Sequence, residues 1–214
     1  MKSRSRRGEW ASGGWFAGAR RCSSPNRGER PAGIEVELAL IHSISLPPGR
    51  YGGNEIEHLF TNCLDWEADP YFQSIREIKV SAHFVVRRDG ELLQFVGCDE
   101  RAWHAGASAW RGRENCNDYS VGIELEGMEG ERFEPAQYVC LSKVLKALAR
   151  RYPISGVAGH EHVAPGRKQD PGVGFEWLRL ITLLDWPARF FPEVVVAGPE
   201  RAGNALGQAD PRRY

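Results

Sequence analysis

Apolar positions in this chain fall into short blocks of two different periods. IEVELALIH, Ile34 to His42, is a nearly continuous run rich in β-branched residues and leucine, which predicts a largely buried strand with His42 at its end. After the loop SLPPGRYGG, the stretch NEIEHLFTNCL, Asn54 to Leu64, carries Ile56, Leu59, Phe60 and Cys63 at helical spacing behind a candidate cap, Asn54. VSAHFVVRRDGELLQFV, Val80 to Val96, alternates on both sides of Asp89-Gly90 and predicts a hairpin. YSVGIELEG, Tyr119 to Gly127, reads as a third strand. PAQYVCLSKVLKALARRY, Pro135 to Tyr152, places Tyr138, Leu141, Val144, Leu145 and Leu148 on one face of a helix. A short strand near Val157 and a closing helix, FEWLRLITLLDW from Phe175 to Trp186, complete the pattern. Strands and helices interleaved in this way predict a single-domain α/β fold over residues 34–187, a mixed central β-sheet flanked by helices. Residues 1–33, rich in Arg, Gly and Ser without periodicity, predict a basic, mostly irregular extension, and residues 188–214 a loosely held tail.

Composition adds few constraints. A chain of 214 residues with a net charge of zero and 42% hydrophobic residues is ordinary for one globular domain, with no overall field favouring nucleic acid or membrane. The arginine-rich start belongs to a chain that is neutral overall, so a nucleic-acid contact is not expected. No stretch approaches the ~18 apolar residues that span a bilayer. MKSRSRRGEW opens with a basic cluster and a twin arginine, but ASGGWFAGARRC behind it has no continuous apolar run, so a cytoplasmic protein is expected rather than an exported one. Five cysteines with no CxxC pair fit a reducing compartment and argue against a disulfide framework.

The chemistry concentrates in GHEHVAPGRKQDPG, Gly159 to Gly172, where glycine and proline predict a sharply turning loop that lets polar side chains converge. Of six histidines, His42 and His160 each end a predicted strand where a loop begins, and Asp170 follows on that loop. Two imidazoles and a carboxylate match the three-ligand pattern of catalytic zinc, with a fourth position open to water. His162 is a weaker candidate, since alternate residues of an extended segment point oppositely. His58, inside a helix, reads as structural. Amide hydrolysis would also need a proton acceptor and a positive charge beside the developing oxyanion. Glu124 and Glu126 share one face of their strand and both qualify as acceptor; Lys168, two residues before Asp170, qualifies as the cation.

Several motifs in order, GWFAGARRCSSPN, IHSISLPPGRYGG, FTNCLDWEADPYF, KVSAHFVVRRDGELLQFV, RAWHAG, GRENCNDYSVGIELEG, GHEHVAPGRKQDPG and FEWLR, span about residues 14–180. Together they resemble the zinc-dependent N-acetylmuramoyl-L-alanine amidases, in particular the cytoplasmic branch that acts on 1,6-anhydro-muropeptides. The resemblance implies an amidase fold shared with peptidoglycan-recognition proteins and one zinc ion per chain on His42, His160 and Asp170. It further implies Glu124 as proton acceptor, Lys168 as transition-state cation, and cleavage of the amide between N-acetylmuramic acid and L-alanine in cell-wall recycling. Trp103 and His104 would form part of a substrate wall, and Ala164 would offer a backbone contact. Ser43, Lys79 and Asn115 depart from the family pattern at substrate-facing positions, where asparagine, arginine and arginine are usual; losing an arginine fork alters the grip on an acidic stem peptide. A monomer acting on small anhydro-muropeptides is expected, with a non-catalytic muropeptide-binding module on the same fold as the alternative.

Overall fold

The computed structural model describes residues 8–197. Its centre is a six-stranded mixed sheet of β1 (Arg20–Arg21), β2 (Leu38–Ile44), β3 (Phe84–Val86), β4 (Leu92–Gln94), β5 (Ser120–Glu126) and β6 (Gly156–Gly159), in the order β6-β2-β5-β3-β4-β1. All pairings are parallel except the β3–β4 hairpin, where Gly90 turns the chain with φ 90°. The helices are α1 (Glu55–Phe60), α2 (Pro70–Ser74), α3 (Pro135–Arg151), α4 (His160–Val163), α5 (Trp177–Leu184) and α6 (Glu193–Ala197). Among the described residues no helix is long and apolar enough to cross a membrane.

Central parallel strands have no solvated face, which is why β2 reads as an unbroken apolar run. Alternation along the strands gives Ala39, Ile41, Phe84, Val86, Val121, Ile123 and Leu125 to the face beneath α3, where Tyr138, Leu141, Val144, Leu145 and Leu148 meet them. Leu40, Leu38, Ala158 and Tyr119 lie on the opposite face, as do Val85 and Leu93, which pack on Ile56, Leu59 and Phe60 of α1. The long helix starts at Pro135, and Gln137 anchors that start by donating to the carbonyls of Val86 (3.2 Å) and Glu126 (3.0 Å) at the strand ends.

Helix α2 was not anticipated, although its signal is present: Asp69 accepts from the Tyr71 N–H at 2.9 Å and Pro70 occupies the first turn. At α1, by contrast, Asn54 precedes the helix without a side-chain cap bond. The boundary expected at residue 33 does not mark where packing begins. Arg20–Arg21 forms the sheet edge beside β4, Trp10–Ala11 pairs with Trp15–Phe16, and Arg27–Gly28 pairs with Arg101–Ala102. Asn26, buried, donates to the Val80 carbonyl at 2.8 Å. Arg30 donates to the carbonyls of Cys98, Asn117, Asp118 and Ser120 at 2.8–3.2 Å, and burial brings its pKa down to about 10. These anchors join side chains to backbone carbonyls and need no apolar periodicity, so a pattern of hydrophobic spacing does not reveal them. At the other end Phe191, within the expected tail, is buried in the α3-side core; the basic cluster at residues 1–7 and the tail beyond residue 197 lie outside the described residues.

Replacing Arg30 with methionine leaves four carbonyls without their donor, and each such loss costs about 1–3 kcal/mol when buried. Urea unfolding is expected to show a loss of at least about 3 kcal/mol for Arg30→Met and about 0.5 kcal/mol or less for the exposed Arg50→Ala.

Candidate metal centre

Strand register builds the site. The parallel pairing of β5 with β2 sets Glu124 beside His42, and the pairing of β6 with β2 sets Gly159 beside Ile41, so His160 emerges next to His42 as β6 ends. The segment expected to be all loop instead makes one helical turn, α4, before returning through Asp170, whose carbonyl accepts from the Glu161 N–H at 2.9 Å. His42 Nδ1 and His160 Nδ1 lie 3.0 Å apart, and Asp170 Oδ2 is 3.0 Å from the first and 3.1 Å from the second. All three residues are buried.

The surrounding contacts say which imidazole atoms are free. His160 Nε2 is 3.0 Å from the Ala105 carbonyl, which only accepts, so the ring hydrogen sits on Nε2 and Nδ1 is a lone-pair atom. His42 makes the matching arrangement when its Nε2 donates to His104 Nδ1 at 3.0 Å. Burial holds the His42 imidazole below its ordinary pKa. With the hydrogens on both Nε2 atoms, two imidazole lone pairs and a carboxylate face one another at about van der Waals contact, a mutually repulsive set that a cation between them relieves. Donor atoms this close can share a point about 2 Å from each, as a nitrogen- and oxygen-liganded zinc requires. The residues therefore fit a divalent metal.

Glu124 lies on the same face as His42, nearly buried, with Oε2 lacking any hydrogen-bond partner. Burial, reinforced by the Asp170 charge, raises its pKa well above the ordinary carboxylate value, while Lys168 pulls the other way. Lys168 is exposed on the loop after α4 and its charge also bears on His42. Glu126 separates cleanly from Glu124. It is no solvated rim residue: Arg87 Nη1 donates to it at 2.8 Å, the Gly52 N–H at 2.7 Å and the Arg88 N–H at 3.2 Å, a fully occupied buried carboxylate.

The remaining candidates divide. His162 stays out of the cluster, because its Nδ1 accepts the Gly159 N–H at 3.0 Å and its ring packs on Trp177; the helical turn, not strand alternation, directs it there. His104 is partly buried. It sits over Gly122, where an added Cβ would come within 2.5 Å of the ring, and meets His42 edge-on. Ser43 follows His42 on β2, so alternation turns it to the α3 face, beside Leu125, with its Oγ buried and unpartnered. Ala164 has both backbone polar groups engaged within the chain, its N–H to the His160 carbonyl and its carbonyl to the N–H groups of Arg167 and Lys168. Trp103, Lys79 and Asn115 are exposed, and Asn115 is left-handed at φ 57°. Sequence reasoning missed the supports: Asn117, which accepts from His104 and Ala105; Arg167, which donates to the Ala105 and Ala107 carbonyls; and His83, which accepts the Gly122 N–H at 3.0 Å. Only the GRENCND motif hinted at Asn117.

Residues 33–173 match the family model for N-acetylmuramoyl-L-alanine amidase. The chain is 49% identical over 173 residues to the 1,6-anhydro-N-acetylmuramyl-L-alanine amidase AmpD of Citrobacter freundii, covering 80% of this chain and 92% of that protein. A crystal structure of a selenomethionine derivative of AmpD superposes with a TM-score of 0.79 at 48% identity, covering 82% of this chain and 98% of that one. The Escherichia coli amidase AmiD, solved with anhydro-N-acetylmuramic acid-L-Ala-D-γ-Glu-L-Lys, superposes with a TM-score of 0.51 at 30% identity, covering 72% of this chain and 60% of that one.

The histidine network predicts an acid-sensitive fold. Burial, then the Arg30 charge, lowers the His83 pKa from 6.5 to about 3, so the unfolded chain takes up a proton that the folded chain refuses. That contribution is present above pH 6.5 and is lost as pH falls toward 3. His83→Gln keeps an acceptor for Gly122 and is expected to flatten the stability profile between pH 6.5 and 4 by up to ~1.4 kcal/mol per pH unit, measured by urea unfolding in chelator. An unchanged slope would refute the assignment.

Proposed function

Because the chain belongs to the N-acetylmuramoyl-L-alanine amidase family, we propose that it cleaves the amide between 1,6-anhydro-N-acetylmuramic acid and the L-alanine of a stem peptide, using a zinc ion held by His42, His160 and Asp170. It is an amidase of peptidoglycan recycling. The observation that carries the residue assignment is the buried meeting of three donor atoms at 3.0–3.1 Å beside a carboxylate with an orphaned oxygen.

When bound, zinc would supply a Lewis acid for the amide carbonyl and acidify water at its open position to a pKa of roughly 7. Glu124 takes the proton of the attacking water and returns it to the departing L-alanine amine; its raised proton affinity and unpaired Oε2 suit both transfers. Lys168 provides positive charge where the carbonyl oxygen becomes anionic, reaching in from an exposed loop. Trp103, 36% exposed, offers an aromatic plate for a sugar face. Lys79, also exposed, meets the acidic stem peptide as a single charge rather than an arginine fork. One zinc per chain, a small soluble muropeptide as substrate and a cytoplasmic site of action complete the reading. Five unpaired cysteines, two of them buried, support a reducing compartment.

The test measures stem-peptide release from purified anhydro-muropeptide and from its reducing counterpart, with zinc content read by elemental analysis. Glu124→Gln is expected to lose about 10²–10⁴-fold in turnover while retaining zinc. His42→Ala should lose zinc and activity together. Undiminished turnover in Glu124→Gln would remove that residue's role, and a zinc-loaded wild type that binds muropeptide without releasing peptide would mark a recognition module instead. Equal rates on both substrates would withdraw the anhydro preference.

A further inference from the structure

We propose that Asn117, in the turn before β5, is a positioning residue for the metal centre, because its side chain pins the two-residue segment that orients both metal-facing imidazoles. The inference rests on the reading of His42, His160 and Asp170 as zinc ligands. Asn117 is 8% exposed, and its Oδ1 accepts the N–H groups of His104 (3.2 Å) and Ala105 (2.9 Å). Each of those residues faces a different ligand. His104 Nδ1 lies 3.0 Å from His42 Nε2, and the Ala105 carbonyl lies 3.0 Å from His160 Nε2.

Both contacts do the same chemical work from opposite sides of the site. Holding a hydrogen on Nε2 leaves Nδ1 as a lone pair, and the direction of each contact fixes the ring plane. One amide oxygen therefore sets two tautomers at once through adjacent backbone groups. Other contacts brace the device. Arg30 Nη1 donates to the carbonyls of Asn117 (3.2 Å) and Asp118 (2.8 Å), fixing where the asparagine itself sits. Arg167, from the loop between His160 and Asp170, donates to the same Ala105 carbonyl at 2.7 Å, and Gly122 leaves room for the His104 ring. Removing the Asn117 amide leaves the His104 and Ala105 N–H groups without a partner, so the segment shifts and both imidazoles lose their reference.

The test compares zinc dissociation constants of the full chain by chelator competition for wild type, Asn117→Ala and Asn117→Asp, beside thermal unfolding of the metal-free proteins. Asn117→Ala is expected to bind zinc about 10–100-fold more weakly, and Asn117→Asp, which keeps an acceptor oxygen, within about threefold of wild type. Affinity of the alanine variant within about twofold of wild type overturns the proposal, as does an aspartate variant as weak as alanine. A purely structural role would lower the melting temperature of the metal-free variants alike without this split in affinity. Should the alanine variant fail to fold, nitrogen-15 NMR of metal-free wild type decides: ring hydrogens on Nε2 of both His42 and His160 are expected, and one on Nδ1 of either overturns the proposal. A wild type that takes up no zinc at all defeats the underlying ligand assignment and this inference together, a result distinct from zinc-binding wild type beside an unaffected variant.

Discussion

Three electron-rich atoms, His42 Nδ1, His160 Nδ1 and Asp170 Oδ2, stand about 3 Å apart on three buried residues. Such a set is not stable by itself, since burial weakens its solvation and like lone pairs repel. It persists because everything around it is rigid. His42 and Glu124 sit in matched register on parallel strands whose other face is buried under α3, and His160 is delivered by the next strand over. A cation would turn the repulsion into coordination, so the rigidity that holds like groups together also suits them to an ion.

The two glutamates of β5 show how environment divides roles between chemically identical groups. Glu126 has Arg87 and two backbone N–H groups and serves as an internal counter-ion at the end of the sheet. Glu124, two residues earlier on the same face, has no donor for one oxygen, and its burial, reinforced by the Asp170 carboxylate, pushes it toward the protonated form. A carboxyl with raised proton affinity beside the proposed metal is suited to moving a proton, whereas a fully paired one is not. The same contrast separates His160, tied to the Ala105 carbonyl with its Nδ1 free, from His162, whose Nδ1 is occupied by the Gly159 N–H.

Much of the scaffold is built from polar anchors rather than from apolar layers. Arg30 gathers four carbonyls, Asn26 reaches Val80, and Arg167 reaches Ala105 and Ala107. Such side chains lock loops that have no secondary structure of their own, and they link the N-terminal segment and the loop after α4 to the turns around the metal-facing histidines. This places the stability of residues 20–33 and the geometry of the proposed centre in one continuous network.

Periodicity alone was enough to locate β2, the β3–β4 hairpin, β5, α3 and α5, because each buries an apolar face whose spacing is written into consecutive residues. The expected strand-end placing of the two histidines and the carboxylate loop likewise made His42, His160 and Asp170 legible as a group, although His42 lies two residues inside the end of β2 and His160 opens α4. The choice between Glu124 and Glu126 could not be made from alternation, which treats both alike; only the position of Arg87, thirty-nine residues away from Glu126, separates them. The inward turn of His104, the structural part of residues 8–33 and the supports at Asn117 and Arg167 were equally hidden. Each depends on a side chain meeting a backbone group far along the chain, and a distance of that kind is a property of the folded object, not of any stretch of sequence.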